Sequence, residues 1–134
     1  MSSTKKFIPA ILWFMLLLFL ICLPGNQIPE HNPFLEKIFF DKWVHLGLFG
    51  ILSMLCLYPL GSLAISQNLQ QQWAIKICLA CIMWGLTTEY IQKYFIPFRS
   101  FDLADWAADS VGVICAYFIW LKLQKLPLKI KKVE

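Results

Sequence analysis

The sequence is short of charge. Only 15% of its 134 residues are Asp, Glu, Lys or Arg, against about a quarter in an ordinary soluble domain. With 59% hydrophobic residues and a mean hydropathy of +0.63, a chain of this length cannot hide its apolar side chains in a water-soluble fold, because a small domain leaves too much surface exposed. A soluble globular domain is excluded, and lipid is the solvent. A disulfide framework is excluded as well, since the five cysteines are odd in number and all lie in apolar runs. Cys78 and Cys81 form a Cys-x-x-Cys in mid-segment, which reads as two small core residues rather than a redox or metal pair. Internal repeats and low-complexity stretches are missing, so 1–134 is expected to be one domain. A net charge of +4, with most basic residues near the chain ends, is a poor match for nucleic acid. No nucleophile motif is present either: Ser53 and Cys56 lie in an apolar run without a matching partner.

What the sequence does have is four apolar segments near the length a membrane requires, about 20 residues. They run over 7–23, 43–60, 73–94 and 103–121. Pro24-Gly25-Asn26, then Pro59 with Gly61, then Pro97 punctuate them with residues that break helices. The expected fold is all-α: a polytopic four-helix transmembrane bundle. The first segment follows Lys5 and Lys6 as a signal peptide would, but it is long for one and no small-x-small cleavage site follows, so it reads as an uncleaved anchor. Lys5 and Lys6 before the first segment, and Lys122, Lys125, Lys129, Lys131 and Lys132 after the last, place both termini in the cytoplasm by the positive-inside rule. The implied home is the cytoplasmic (inner) membrane, with membrane lipid as the first partner and the basic tail lying against anionic lipid. Trp43 and Trp106 then fall near the outer boundary, and Trp73 and Trp120 near the inner one.

The acids are unevenly spread. Seven of the eight belong to the outer side in this topology, and five of those fall at the outer ends of the second, third and fourth segments. The second opens with Asp41-Lys42-Trp43-Val44-His45, the third closes with Glu89-Tyr90-Ile91-Gln92, and the fourth follows Arg99 with Asp102, Asp105 and Asp109. At helical spacing the last three share an arc of about 60°. Asp41 with His45, and Glu89 with Gln92, each give their helix one polar edge. Asp102 also suits the N-cap of the fourth helix, and Asp105 its dipole. Carboxylates this deep cost several kcal/mol facing lipid and normally face a bundle interior or a wet cavity. Three separate motifs thus share one physical solution, a common polar pocket at the outer leaflet. His45, Glu89 and Asp105 are the candidate catalytic residues. Asp41, Lys42, Gln92, Arg99, Asp102 and Asp109 are candidate ligand-binding residues.

In order and spacing, Asp41-Lys42-x-x-His45, then Glu89-x-x-Gln92, then Pro97-x-Arg99-x-x-Asp102-x-x-Asp105-x-x-x-Asp109-x-x-Gly112 resembles the pattern of the VanZ-like family over 41–112. The family usually carries asparagine where this chain has Asp109, so asparagine there is expected to be tolerated. The resemblance implies a membrane fold and an envelope context, the family's founding member being linked to glycopeptide antibiotic resistance; it implies no reaction.

Three functions compete. In the first, the pocket binds or modifies an envelope lipid, a phosphorylated lipid or cell-wall precursor, through Lys42 and Arg99 or through a divalent cation such as Mg²⁺ on the carboxylates. His45 would serve as acid or base, and phosphoryl hydrolysis or transfer is the reaction class to test. In the second, the protein is a non-enzymatic accessory of an envelope complex whose polar cluster only holds helices together. The third, an ion pathway, is weakest, because the inner halves of the segments lack matching charges apart from Lys76.

Overall fold

The computed structural model describes residues 3–25 and 39–125, and every regular element among them is helical. A 3₁₀ turn over Ser3–Phe7 leads into α1, Ile8–Ile21. Helix α2, Phe40–Leu57, runs on as a 3₁₀ turn over Tyr58–Ser62; α3 is Gln67–Phe95 and α4 is Leu103–Lys125. The all-α class agrees with the sequence reading. The expected outer loop near Glu30 and the basic tail after Lys125 lie outside the described residues.

Among the described residues, three helices are long and apolar enough to cross a membrane: Phe40–Ser62, Gln67–Phe95 and Leu103–Lys125. The first apolar segment, 7–23, forms the shorter helix α1. Its 14 helical residues rise only about 21 Å, against about 30 Å of hydrocarbon. Conversely α3 begins six residues earlier than the hydrophobic run, because Ser66 caps it: the Ser66 hydroxyl accepts from the Leu69 amide at 3.3 Å. At 29 residues, about 44 Å long, α3 carries its polar first turns beyond the apolar layer. Pro59 tips the end of α2 into a 3₁₀ turn, and α3 stops one residue before Ile96-Pro97.

Helix α2 is the centre of the bundle, packing most closely on α4 and also on α3 and α1. The α2–α4 approach depends on two glycines. A Cβ at Gly112 would stand 3.0 Å from the Gly50 amide nitrogen and closer still to the Leu46 carbonyl oxygen. Backbone therefore meets backbone there, as small residues permit between membrane helices. Below this crossing the core is apolar apart from the buried Ser53, first Leu17, Phe49, Leu52 and Val113, then Leu57, Leu60, Ala74 and Trp120. Indole N–H groups stitch the helices: Trp13 Nε1 of α1 donates to the Leu48 carbonyl, and Trp106 Nε1 of α4 to the Ile82 carbonyl, both at 3.0 Å. At one end of the bundle Lys6 Nζ donates to Ser62 Oγ at 2.8 Å; at the other the Gly25 amide donates to the Pro97 carbonyl at 3.0 Å. Helices α1 and α3, with Leu52 and Cys56 of α2 behind them, border an open-sided apolar cavity of about 480 Å³, lined also by Ala10, Phe14, Ile77, Cys81 and Trp84.

The crossing makes a direct prediction. Gly112→Ala drives a methyl into backbone that cannot swing away and is expected to cost about 1–3 kcal/mol. Gly47→Ala meets nothing within 4 Å and is expected to be neutral or to stabilise by up to about 1 kcal/mol through helix propensity. Thermal unfolding in detergent compares them; equal Tm values would mean that α2 and α4 do not meet this closely.

Candidate functional site

The three acidic motifs converge. Lys42, on the first turn of α2, reaches across to the start of α4, where Nζ donates to Asp102 Oδ2 at 2.5 Å and to Asp105 Oδ1 at 2.6 Å. It also pairs with its neighbour Asp41 at 3.0 Å. One ammonium thus serves three carboxylates, and its own side chain is mostly buried between them. One turn along α2, His45 Nδ1 and Asp109 Oδ1 are 3.0 Å apart, a hydrogen bond that Nδ1 donates when it carries the ring proton, while His45 Nε2 stands 3.7 Å from Asp105 Oδ2. From α3, Glu89 Oε2 accepts the Asp102 amide at 2.9 Å, fixing the short α3–α4 connection. Asp102 in turn caps α4, its Oδ1 accepting the Ala104 amide at 2.8 Å.

Charge and depth vary across the cluster. Asp41 and Asp102 form the wet rim, whereas Glu89 and Asp109 are both 0% exposed. Each buried carboxylate has one bonded oxygen and one without a hydrogen-bond partner, Glu89 Oε1 and Asp109 Oδ2. One donor atom from each of His45, Glu89 and Asp109 lies within 4.8 Å of the other two. Gln92 is buried on the face of α3 that carries Glu89.

Two expectations are refined. Lys42 bridges the acids, while among the described residues no ion pair runs to Arg99, whose Nε is buried without a hydrogen-bond partner. The polar side chains also pack against one another, and the 480 Å³ cavity lies one helix face away, on the side of α3 that bears Cys81 and Trp84. Sequence reasoning missed Gly85 and Thr88. A Cβ at Gly85 would stand 3.0 Å from Asp109 Oδ2, and the buried Thr88 hydroxyl donates to the Gly85 carbonyl at 2.7 Å. The available signal was their spacing, one turn and one residue before Glu89. Beneath the cluster Phe49, Leu52 and Val113 close the floor, and Ser53 is the deepest buried polar residue of α2 among those described. The cysteines Cys56, Cys78 and Cys81 are free thiols in this apolar layer.

The Lys42 ammonium, and after it the Ala104 amide, hold the Asp102 carboxyl below its ordinary range. A group with a depressed folded-state pKa contributes stability that is complete above its unfolded value, near pH 4 for aspartate (about 3.9), and is lost as pH falls through the folded value. Wild-type Tm in detergent is therefore expected to decline on acidification below about pH 4. Asp102→Asn is expected to lower Tm at neutral pH and to flatten part of that decline; identical acid profiles would remove Asp102 from the α2–α4 clamp. Comparison with known proteins finds no matching family model, no matching curated protein and no matching solved structure.

Proposed function

We propose that the chain is a VanZ-like integral protein of the cytoplasmic membrane, with four spans and both termini inside, that binds or modifies the phosphorylated head group of an envelope lipid. The observation that carries this reading is the pairing of a polar cluster at one end of α2, α3 and α4 with an apolar cavity beside it. An amphiphile needs both. The lipid chain would lie in the cavity between α1 and α3, whose upper end is Trp84, about 7.5 Å of helix rise below Glu89. The head group would meet the cluster, and Arg99, three residues before Asp102, would bring a guanidinium suited to phosphate. His45, oriented by Asp109, supplies an acid or base of the kind phosphoryl chemistry uses.

The ends of the bundle support the topology. The Ser3–Phe7 turn adds about 10 Å to α1, giving about 31 Å in all, the thickness of a hydrocarbon core. Lys6 meets Ser62 at the end where Gln124 of α4 packs beside Gly61, so Lys6 lies at the end of the bundle that carries Lys122 and Lys125, and the clustered acids lie at the opposite end. Reporter fusions at the N-terminus and after Lys132 are both expected to read cytoplasm, and a fusion near Glu30 the outside. A C-terminus found outside would overturn the orientation.

A second reading, in which the cluster only joins helices, is favoured by Lys42, whose bonds to Asp102 and Asp105 clamp α2 to α4. The two readings separate by thermal shift. A polyprenyl phosphate at about 100 times its Kd adds about 2.7 kcal/mol to stability, so Tm is expected to rise by several degrees, while the matching polyprenol leaves it unchanged. His45→Gln, Glu89→Gln and Asp105→Asn are expected to stay monodisperse and lose the shift. No shift with any phosphorylated lipid, or full retention in all three variants, leaves the cluster as helix glue.

A further inference from the structure

The cluster holds more negative charge than its cations answer. Lys42 is engaged with Asp41, Asp102 and Asp105, which leaves the two fully buried carboxylates, Glu89 and Asp109, with a single imidazole between them. Each of those carboxylates spends one oxygen on a protein partner and keeps the other bare. Asp109 Oδ2 faces Gly85, where even a Cβ would sit 3.0 Å away, and glycine brings no side chain to donate to it. Buried acceptors without donors are costly, and buried charge without a counter-charge more so.

We propose that a ring nitrogen of His45 and one carboxylate oxygen each from Glu89 and Asp109 bind a divalent transition-metal cation, Zn²⁺ in the first instance. The donors already lie within 4.8 Å of one another. Ligands about 2.0–2.1 Å from a tetrahedral Zn²⁺ stand about 3.4 Å apart, so modest side-chain rotation closes the shell. One imidazole and two carboxylates suit Zn²⁺ or Mn²⁺ better than Mg²⁺ or Ca²⁺, which favour oxygen alone. Three protein ligands leave a coordination position for water or a phosphate oxygen, as catalytic zinc sites do. The sites are held in place from outside: Asp105 stands 3.7 Å from His45 Nε2, and the Asp102 amide fixes Glu89. The inference deepens the reading of the cluster as a head-group site, since a bound cation would reconcile an acidic cluster with a phosphate ligand.

The test uses the full chain in detergent, free of any histidine tag, stripped with chelator and without added lipid. It is dialysed separately against Zn²⁺, Mn²⁺, Mg²⁺ and Ca²⁺, and bound metal is measured by elemental mass spectrometry. The expected result is about one Zn²⁺ per chain, and with Co²⁺ a visible absorption band that lacks thiolate charge transfer. Glu89→Gln, Asp109→Asn and His45→Gln are each expected to weaken binding at least about tenfold. Asparagine at 109, the residue usual in the family the chain resembles, keeps an acceptor for His45 and a neutral carbonyl ligand, so that variant is expected to fold and to keep the lipid-induced shift while binding the metal more weakly. Simultaneous Cys56→Ser, Cys78→Ser and Cys81→Ser is expected to leave binding intact. Wild-type protein that retains no metal overturns the proposal, as does thiolate absorption or loss of binding in the cysteine variant. Metal binding without any lipid-induced thermal shift would instead sink the head-group reading alone.

Discussion

Two carboxylates without solvent, Glu89 and Asp109, set the terms for the rest of the structure. An ionised group in an apolar bundle is tolerated only where partners converge on it, and here the partners converge from different elements. The Asp102 amide comes from the connection between α3 and α4, and His45 from α2. The helix positions that meet these demands also fix the register of α2 against α4 and of α3 against both. The Lys42 clamp then closes the rim, where water can still share the cost of the charges.

That register requires close approach, and the glycines supply it. Gly50 and Gly112 let α2 and α4 touch through their backbones, one turn beyond His45 and three residues beyond Asp109 respectively. Gly85 does the same for the Asp109 side chain against α3. Polar convergence and small-residue packing are therefore one arrangement: larger side chains at these positions would hold His45, Glu89 and Asp109 too far apart to interact.

Much of this was legible in the sequence. The i, i+3 and i+7 spacing of Asp102, Asp105 and Asp109, the Asp41–His45 pair and the Glu89–Gln92 pair each put polar groups on one edge of a helix, and those edges do meet. The breaks at Pro59 and Pro97, and the cap at Asp102, followed from local stereochemistry that needs no tertiary knowledge. What periodicity within a helix cannot give is rotation and height between helices. That is why the sequence could not tell Lys42 from Arg99 among the candidate ligand-binding residues, did not single out Gly85 and Thr88, and carried no sign of the cavity beside α1 and α3. The first apolar segment and α1 differ at their ends for another reason: apolar composition marks a segment that avoids water, not where its hydrogen-bonded turns begin and end.

The apolar floor under the cluster carries a consequence of an electrical kind. Phe49, Leu52 and Val113, with Leu57 and Trp120 below them, interpose a low-dielectric plug between the acids and the far end of the bundle. Across a membrane potential, work of about 2.3 kcal/mol per elementary charge per 100 mV is done only on charge that traverses the field. That field falls across the plug, so a charge joining or leaving the cluster from the near side traverses little of it. Protonation at the cluster therefore answers to the aqueous phase at its own end of the bundle, and a voltage falling across the plug does little work on it.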